Sequence, residues 1–129
     1  MTSPVTAGEP RPRSDRAHAR AVQSDLVDVI KRVSETLGKS LVGVIVGRDA
    51  KTVGRWGAGS NVPGEREEAL LRNILQIVEL LTSVDSPSVA RAWFMGMNPL
   101  LDDNSPAETI AEGRIRDVMA AARLFVDNG

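Results

Sequence analysis

An all-α fold is predicted by three observations. Apolar residues recur at helical spacing in several segments, helix-start signals precede most of them, and no segment carries the turn chemistry of a β-hairpin. Six or seven helices are expected. The arrangement read from them is an N-terminal helix-turn-helix subdomain packed on a C-terminal helical subdomain.

Leu26, Ile30, Val33 and Leu37 define the first helix, over 25–37, with Ser24 as its N-cap and Gly38 as its stop. Ahead of it, residues 1–23 are rich in Pro, Arg, Ala and Ser, with Val5 and Val22 as the only large aliphatic residues. Such a stretch buries too little to offset its ordering entropy, so a disordered basic arm is expected. Its arginines, Arg11, Arg13, Arg16 and Arg20, suit either a solubilising tail or an arm that seeks phosphates.

Residues 40–59 admit two readings. Val42, Val44 and Val46 alternate as in a strand, but Val53 and Trp56 lie three apart, a helical interval, with Asp49 placed to cap a helix over 50–57. Two short helices joined by a tight turn that opens on Gly47 form the helix-turn-helix pattern. The first needs apolar residues four apart, Val42 and Val46, and a small residue where the helices approach, Gly43. The second turns Val53 and Trp56 inward and Ala50, Lys51, Thr52, Gly54 and Arg55 outward. In such motifs the second helix enters the major groove, where Lys and Arg reach guanine or phosphate. Ser40, Arg48, Lys51, Thr52 and Arg55 are the candidate DNA-binding residues, with Ser40 placed for a backbone phosphate. A helical hairpin that keeps the packing without touching DNA would have the same pattern.

After Pro63-Gly64, Leu70, Leu71, Ile74, Leu75, Val78 and Leu81, joined by Ile77 and Leu80, form a stripe too wide for a surface helix. A long linking helix over 65–82 is expected to be the central beam. Ser86-Pro87 caps a helix running through Trp93-Phe94, and Ser105-Pro106-Ala107-Glu108 is a capping box with proline inside it. Ile115, Val118, Met119, Ala122, Phe125 and Val126 share one side of the last helix, with Gly113 kinking or dividing the region before it. The organisation is therefore an arm over 1–23, a helix-turn-helix domain over 24–62 and a helical domain over 63–129.

The charge distribution runs in the same direction. Residues 1–62 hold ten Lys/Arg against six Asp/Glu, while the remainder holds six against eleven, although the total is −1. A basic front and an acidic back fit two partners, or two solvated faces. The chain has no cysteine, so disulfides, thiolate metal sites and a cysteine nucleophile are excluded. Its one histidine, His18, lies in the arm, which argues against a Ser-His-Asp arrangement or a histidine metal site. The glycines of "GAGSNVPGE" lack the phosphate-loop pattern, and Asp102-Asp103 has no partner ligands. No enzyme chemistry and no cofactor are expected. The N-terminus lacks the apolar stretch of a signal peptide and no run is long enough to span a membrane, so a cytoplasmic location is expected.

"VGVIVGRDAKTVGRWGAGSNVP", the long apolar helix after it and "ARAWFMGMNPLLDDNSPAETIAEGRIRDVMAAARLFVDNG" resemble the MbcA/ParS/Xre-type antitoxins, the mycobacterial MbcA branch most of all. The resemblance covers about residues 25–129. It is carried by Arg55-Trp56 closing the helix-turn-helix, then Trp93, Asn98-Pro99 with Leu101, Pro106, Ile110 with Gly113, and Val118, in that order. It implies an antitoxin whose C-terminal domain covers the active-site entrance of a RES-domain toxin that degrades NAD⁺, the nucleotide belonging to the toxin. It also implies operator binding that regulates the antitoxin's own operon, by a homodimer or a toxin–antitoxin hetero-oligomer. Family members often carry a few residues beyond the last helix, whereas this sequence ends at Asn128-Gly129. The toxin-binding face is expected on the last helix at Arg114, Arg116, Arg123, Phe125, Asp127 and Asn128, with Trp93, Phe94, Pro99 and Leu101 serving the core. A stand-alone prophage-type repressor and a structural adaptor without DNA binding are the competing readings.

Overall fold

The computed structural model describes residues 13–128, with the side chains of 13–15 and 24 excepted. Among these are seven α-helices and one 3-10 turn, with no strand. They are α1 (Arg13–Leu37), α2 (Lys39–Val46), α3 (Ala50–Gly57), α4 (Glu65–Thr82), α5 (Pro87–Met95), α6 (Pro106–Ala111) and α7 (Ile115–Asn128), with the 3-10 turn at Pro99–Leu101 between α5 and α6. The all-α prediction holds. None of these helices is long and apolar enough to cross a membrane.

The first helix departs from expectation. It begins at Arg13 rather than at 25, so the part of the supposed arm from 13 to 23 is helical and Ser24 lies within the helix instead of capping it. The rest of the arm, with Arg11, lies outside the described residues. Periodicity missed this stretch because it has almost nothing apolar to bury. Extending a nucleated helix fixes one residue per new hydrogen bond, and Ala and Arg are strong helix formers, so a tertiary contact is not required at every turn.

The other boundaries follow local chemistry. Asp49 accepts the backbone N–H of Thr52 at 2.8 Å and caps α3. Ser86 accepts that of Val89 at 3.2 Å and caps α5, with Pro87 at the first helical position. At α6 the capping box is complete: Ser105 Oγ accepts the N–H of Glu108 at 3.0 Å, while the Glu108 carboxylate accepts the N–H of Ser105 at 3.2 Å. The expected division at Gly113 is present, α6 ending before it and α7 starting after.

α4 is the central beam. It packs against α1, α2, α5 and α7, and its Leu71, Ile74, Ile77 and Leu81 are fully buried. α1 lies across α2, α3, α4 and α5, while α6 is held between α2, α5 and α7. The buried side chains form one cluster that runs from Leu26, Val42 and Trp56 through α4 to Phe94, Leu101, Val118 and Ala122. Removing that much apolar surface from water is the dominant stabilising contribution. Arg72, which bonds Asp25 at 2.7 Å and Glu68 at 3.2 Å, and Arg32, which bonds Glu79 at 2.9 Å, lie across the α1–α4 seam, but exposed pairs of this kind contribute little.

Candidate functional site

Two surfaces carry the residues singled out above. The first is the α2–α3 unit. Val42, Val46, Val53 and Trp56 are all buried, as the helix-turn-helix spacing requires. Gly47 adopts a left-handed conformation (φ 77°) and donates its N–H to the carbonyl of Gly43 at 2.8 Å; Arg48 donates to the same carbonyl at 2.9 Å. This C-cap folds the chain sharply enough to set α3 against α2.

Lys51 and Arg55 project into solvent from the outer face of α3, while Thr52 is half-buried. Ser40 is exposed in the first turn of α2. Arg48 stands apart from them. Its guanidinium turns back to Glu67 on α4, whose carboxylate also accepts the N–H of Gly64 at 2.8 Å. The Glu67 carboxyl is held below its ordinary value by Arg48 first and by Gly64, against the opposing effect of burial. Thus four of the five candidate DNA-binding residues lie on or beside the outer surface of the α2–α3 unit, and the fifth ties its turn to the central helix. Asp49 adds a negative charge at the start of α3, its carboxyl held low by its hydrogen bonds with Thr52.

The second surface is built by α7, the end of α5 and the 3-10 turn. Asn98 shapes that turn: its side chain accepts the N–H of Leu100 at 2.9 Å, and its carbonyl accepts those of Leu101 and Asp103. Leu101 thereby points inward and is buried, while Leu100 is 60% exposed. Leu100, Trp93, Ala121, Leu124, Phe125 and Asn128 border a groove of about 300 Å³. Phe125 packs on Trp93, with ring centroids 6.3 Å apart, and Trp93 and the buried Phe94 are arranged edge-to-face with centroids 5.5 Å apart. Leu124 is itself exposed, and Met97, which precedes the 3-10 turn, adds further exposed apolar area.

The six residues expected to form a toxin-binding face divide into three sets. Arg116, Arg123 and Asp127 share one exposed stripe of α7, as their spacing of seven and four dictates. Phe125 and Asn128 belong to the groove. Arg114 precedes α7 and bonds Asp117 at 2.8 Å, with Asp102 at 3.9 Å; Asp117 chiefly holds the guanidinium protonated. Of the four residues assigned to the core, Phe94 and Leu101 are buried, Trp93 is partly buried and lines the groove, and Pro99 is exposed. Leu100 and Leu124 were missed. A leucine off the buried stripe of α7 was the available signal for the second; nothing local marked the first.

No family model matches the chain. Among curated proteins it is 31% identical, over 109 residues, to the probable mycobacterial cidal antitoxin Rv3188 of Mycobacterium tuberculosis, covering 84% of this chain and 91% of that protein. It is 29% identical over 97 residues to the mycobacterial cidal antitoxin MbcA of Mycobacterium bovis and of M. tuberculosis, covering 74% of this chain and 86% of each relative. Among solved structures it matches a chain of the M. tuberculosis MbcT–MbcA toxin–antitoxin complex with a TM-score of 0.69 and 27% identity, covering 80% of this chain and 95% of that one. Fold and relatives together define an all-α antitoxin of a toxin–antitoxin system. The chain belongs to the MbcA-type family of mycobacterial cidal antitoxins.

Proposed function

We propose that this protein neutralises a RES-domain, NAD⁺-degrading toxin by docking the α7 surface over the entrance to its active site. The observation that carries the reading is the groove between Trp93, Leu100, Leu124 and Phe125. A 14-residue helix leaves Leu124 46% exposed beside a half-buried aromatic pair at its C-terminal end. An apolar centre with Arg116, Arg123 and Asp127 beside it has the composition of a protein interface, with aromatic and arginine anchors. The division of labour follows: 63–129, with the linking helix 65–82, for the toxin, and 24–62 for DNA. The protein acts by binding rather than catalysis, in the cytoplasm, and NAD⁺ is a ligand of the toxin alone.

Coexpression with a RES-domain toxin tests this. The complex should co-purify and cellular NAD⁺ should be preserved. A toxin that depletes NAD⁺ undiminished, with no complex recovered, would remove the proposal.

The outward placement of Lys51 and Arg55 on α3 favours a second activity, binding of operator DNA by a dimer or by the toxin–antitoxin hetero-oligomer. In that role Thr52 belongs to the reading helix itself, Ser40 at the start of α2 meets a backbone phosphate, and Arg48 secures the turn between them. If operator binding is found and toxin binding is not, the chain is a stand-alone helix-turn-helix repressor.

A further inference from the structure

The side of α3 that faces α1 carries an open groove that the reading of α3 as a groove-entering helix leaves unused; Gly54, expected on the outer face, lies on this side. Its floor is Val53, Gly54, Gly57 and Ala58, and its opposite wall is Lys31, Ser34 and Glu35 of α1, with Lys39 at the start of α2; the volume is about 390 Å³. The two glycines keep it open. A β-carbon at Gly54 would lie 3.8 Å from Lys39 Cδ and Nζ, so the Lys39 stem already runs over that position. A second depression shares Ala58 with it and is bordered by Gly59 and by Arg20, Gln23 and Val27 of α1.

Three cations therefore follow this flank: Lys39 beside Gly54, Lys31 facing α3, and Arg20 beside its C-terminal end. All three are exposed, and among the described residues none is in an ion pair. Among the described residues Glu35 is the one acidic side chain that borders the groove, and Asp49, at the opposite end of α3, is engaged with Thr52. The wall also holds the Ser34 hydroxyl, buried without a hydrogen-bond partner. From Arg20 to Lys31 the α1 axis advances about 16 Å, and one DNA strand carries a phosphate every ~3.4 Å of duplex axis. The row is long enough to meet several phosphates of one strand.

We infer that this flank seats a DNA backbone, with Lys39, Lys31 and Arg20 contacting phosphates of the strand beside the groove that α3 enters. The inference rests on the DNA-binding reading above and extends it to residues outside the helix-turn-helix. These contacts position the protein without reading sequence.

The test uses the full chain, alone and with its toxin, and duplex fragments of its own promoter region between about 50 and 200 mM salt, a range over which phosphate contacts change affinity steeply. Lys31→Ala/Lys39→Ala should flatten the slope of log affinity against log salt by about 2, close to 0.9 per lost phosphate contact, while preference for the promoter over unrelated DNA persists. Glu35→Gln should tighten binding by removing a like charge from the seat. An unchanged slope in the double variant, with binding still lost in Lys51→Ala/Arg55→Ala, overturns the seat and leaves the reading of α3 intact. Wild-type protein that binds no DNA in either form overturns both. If the lysine variant keeps its slope but releases the toxin, the groove belongs to a protein partner and the inference is overturned.

Discussion

The carbonyl oxygen of Arg48 occupies the space that a β-carbon on Gly43 would need, closer than non-bonded atoms approach. α2 and the entry to α3 meet backbone to backbone at this point, and the angle between the two helices depends on it. Gly43→Ala must therefore shift the Arg48 peptide or splay the pair. An overpacking cost of about 1–3 kcal/mol is expected, read as a lower denaturant midpoint with an unchanged m-value. DNA affinity should fall as well, because α3 is re-aimed. Gly47→Ala meets no neighbour and serves as the contrast: its penalty comes from φ 77° alone, about 1 kcal/mol.

Glu67 makes the same turn sensitive to acid. Its folded carboxyl is held below the ordinary value of 4.5, chiefly by Arg48. A depressed carboxylate contributes stability that is complete above its unfolded value and is lost as pH falls through the folded value. Stability of the native protein should thus decline below about pH 4.5, and Glu67→Gln should decline less steeply in that window while being less stable at neutral pH. Denaturant titrations at pH 7 and pH 3.5–4.5 check both signs.

Lys51 and Arg55 are exposed, so replacing both by Ala should leave the melting temperature nearly unchanged. Promoter binding, in contrast, should weaken at least ~10-fold, and its preference for the cognate sequence should relax if either side chain reads a base edge. Fluorescence anisotropy against cognate and scrambled duplexes separates those outcomes. Equal affinity of variant and wild type would show that α3 does not face DNA.

Leu124 offers a direct probe of the other surface. It is 46% exposed, so Leu124→Glu should alter stability by no more than about 0.5 kcal/mol. A charge in the groove should nevertheless weaken toxin binding at least ~10-fold, or about 1.4 kcal/mol, measured by calorimetry on the purified pair. Arg116→Ala, on the neighbouring stripe, should have a smaller effect if the groove is the centre of the interface and the stripe its rim. A Leu124→Glu protein that still protects cells would place the interface elsewhere.

Elements with a local cause were legible in the sequence. Val53 and Trp56 three apart, Asp49 ahead of them and the Ser105-Pro106 box mark helices because capping and periodicity act within one or two turns. The Arg48–Glu67 pair could not be read: it joins the α2–α3 turn to α4, 19 residues further on. The start of α1 was hidden because exposed helix has no apolar stripe. The groove was hidden for a related reason. Leu100 and Leu124 belong to different elements, and only tertiary packing brings their exposed side chains beside Trp93. Lys31 and Lys39 likewise gain meaning from Gly54 and Gly57, whose missing side chains leave room between α1 and α3.

The unbroken cluster that links Trp56 to Phe94 and Val118 through α4 has a consequence for turnover in the cell. With one continuous interior, the molecule is expected to open in one cooperative step, and a protease that captures the opened form destroys the α2–α3 and α7 surfaces together. The two proposed activities, at the promoter and on the toxin, would then share one clock, set by how often that single interior comes apart.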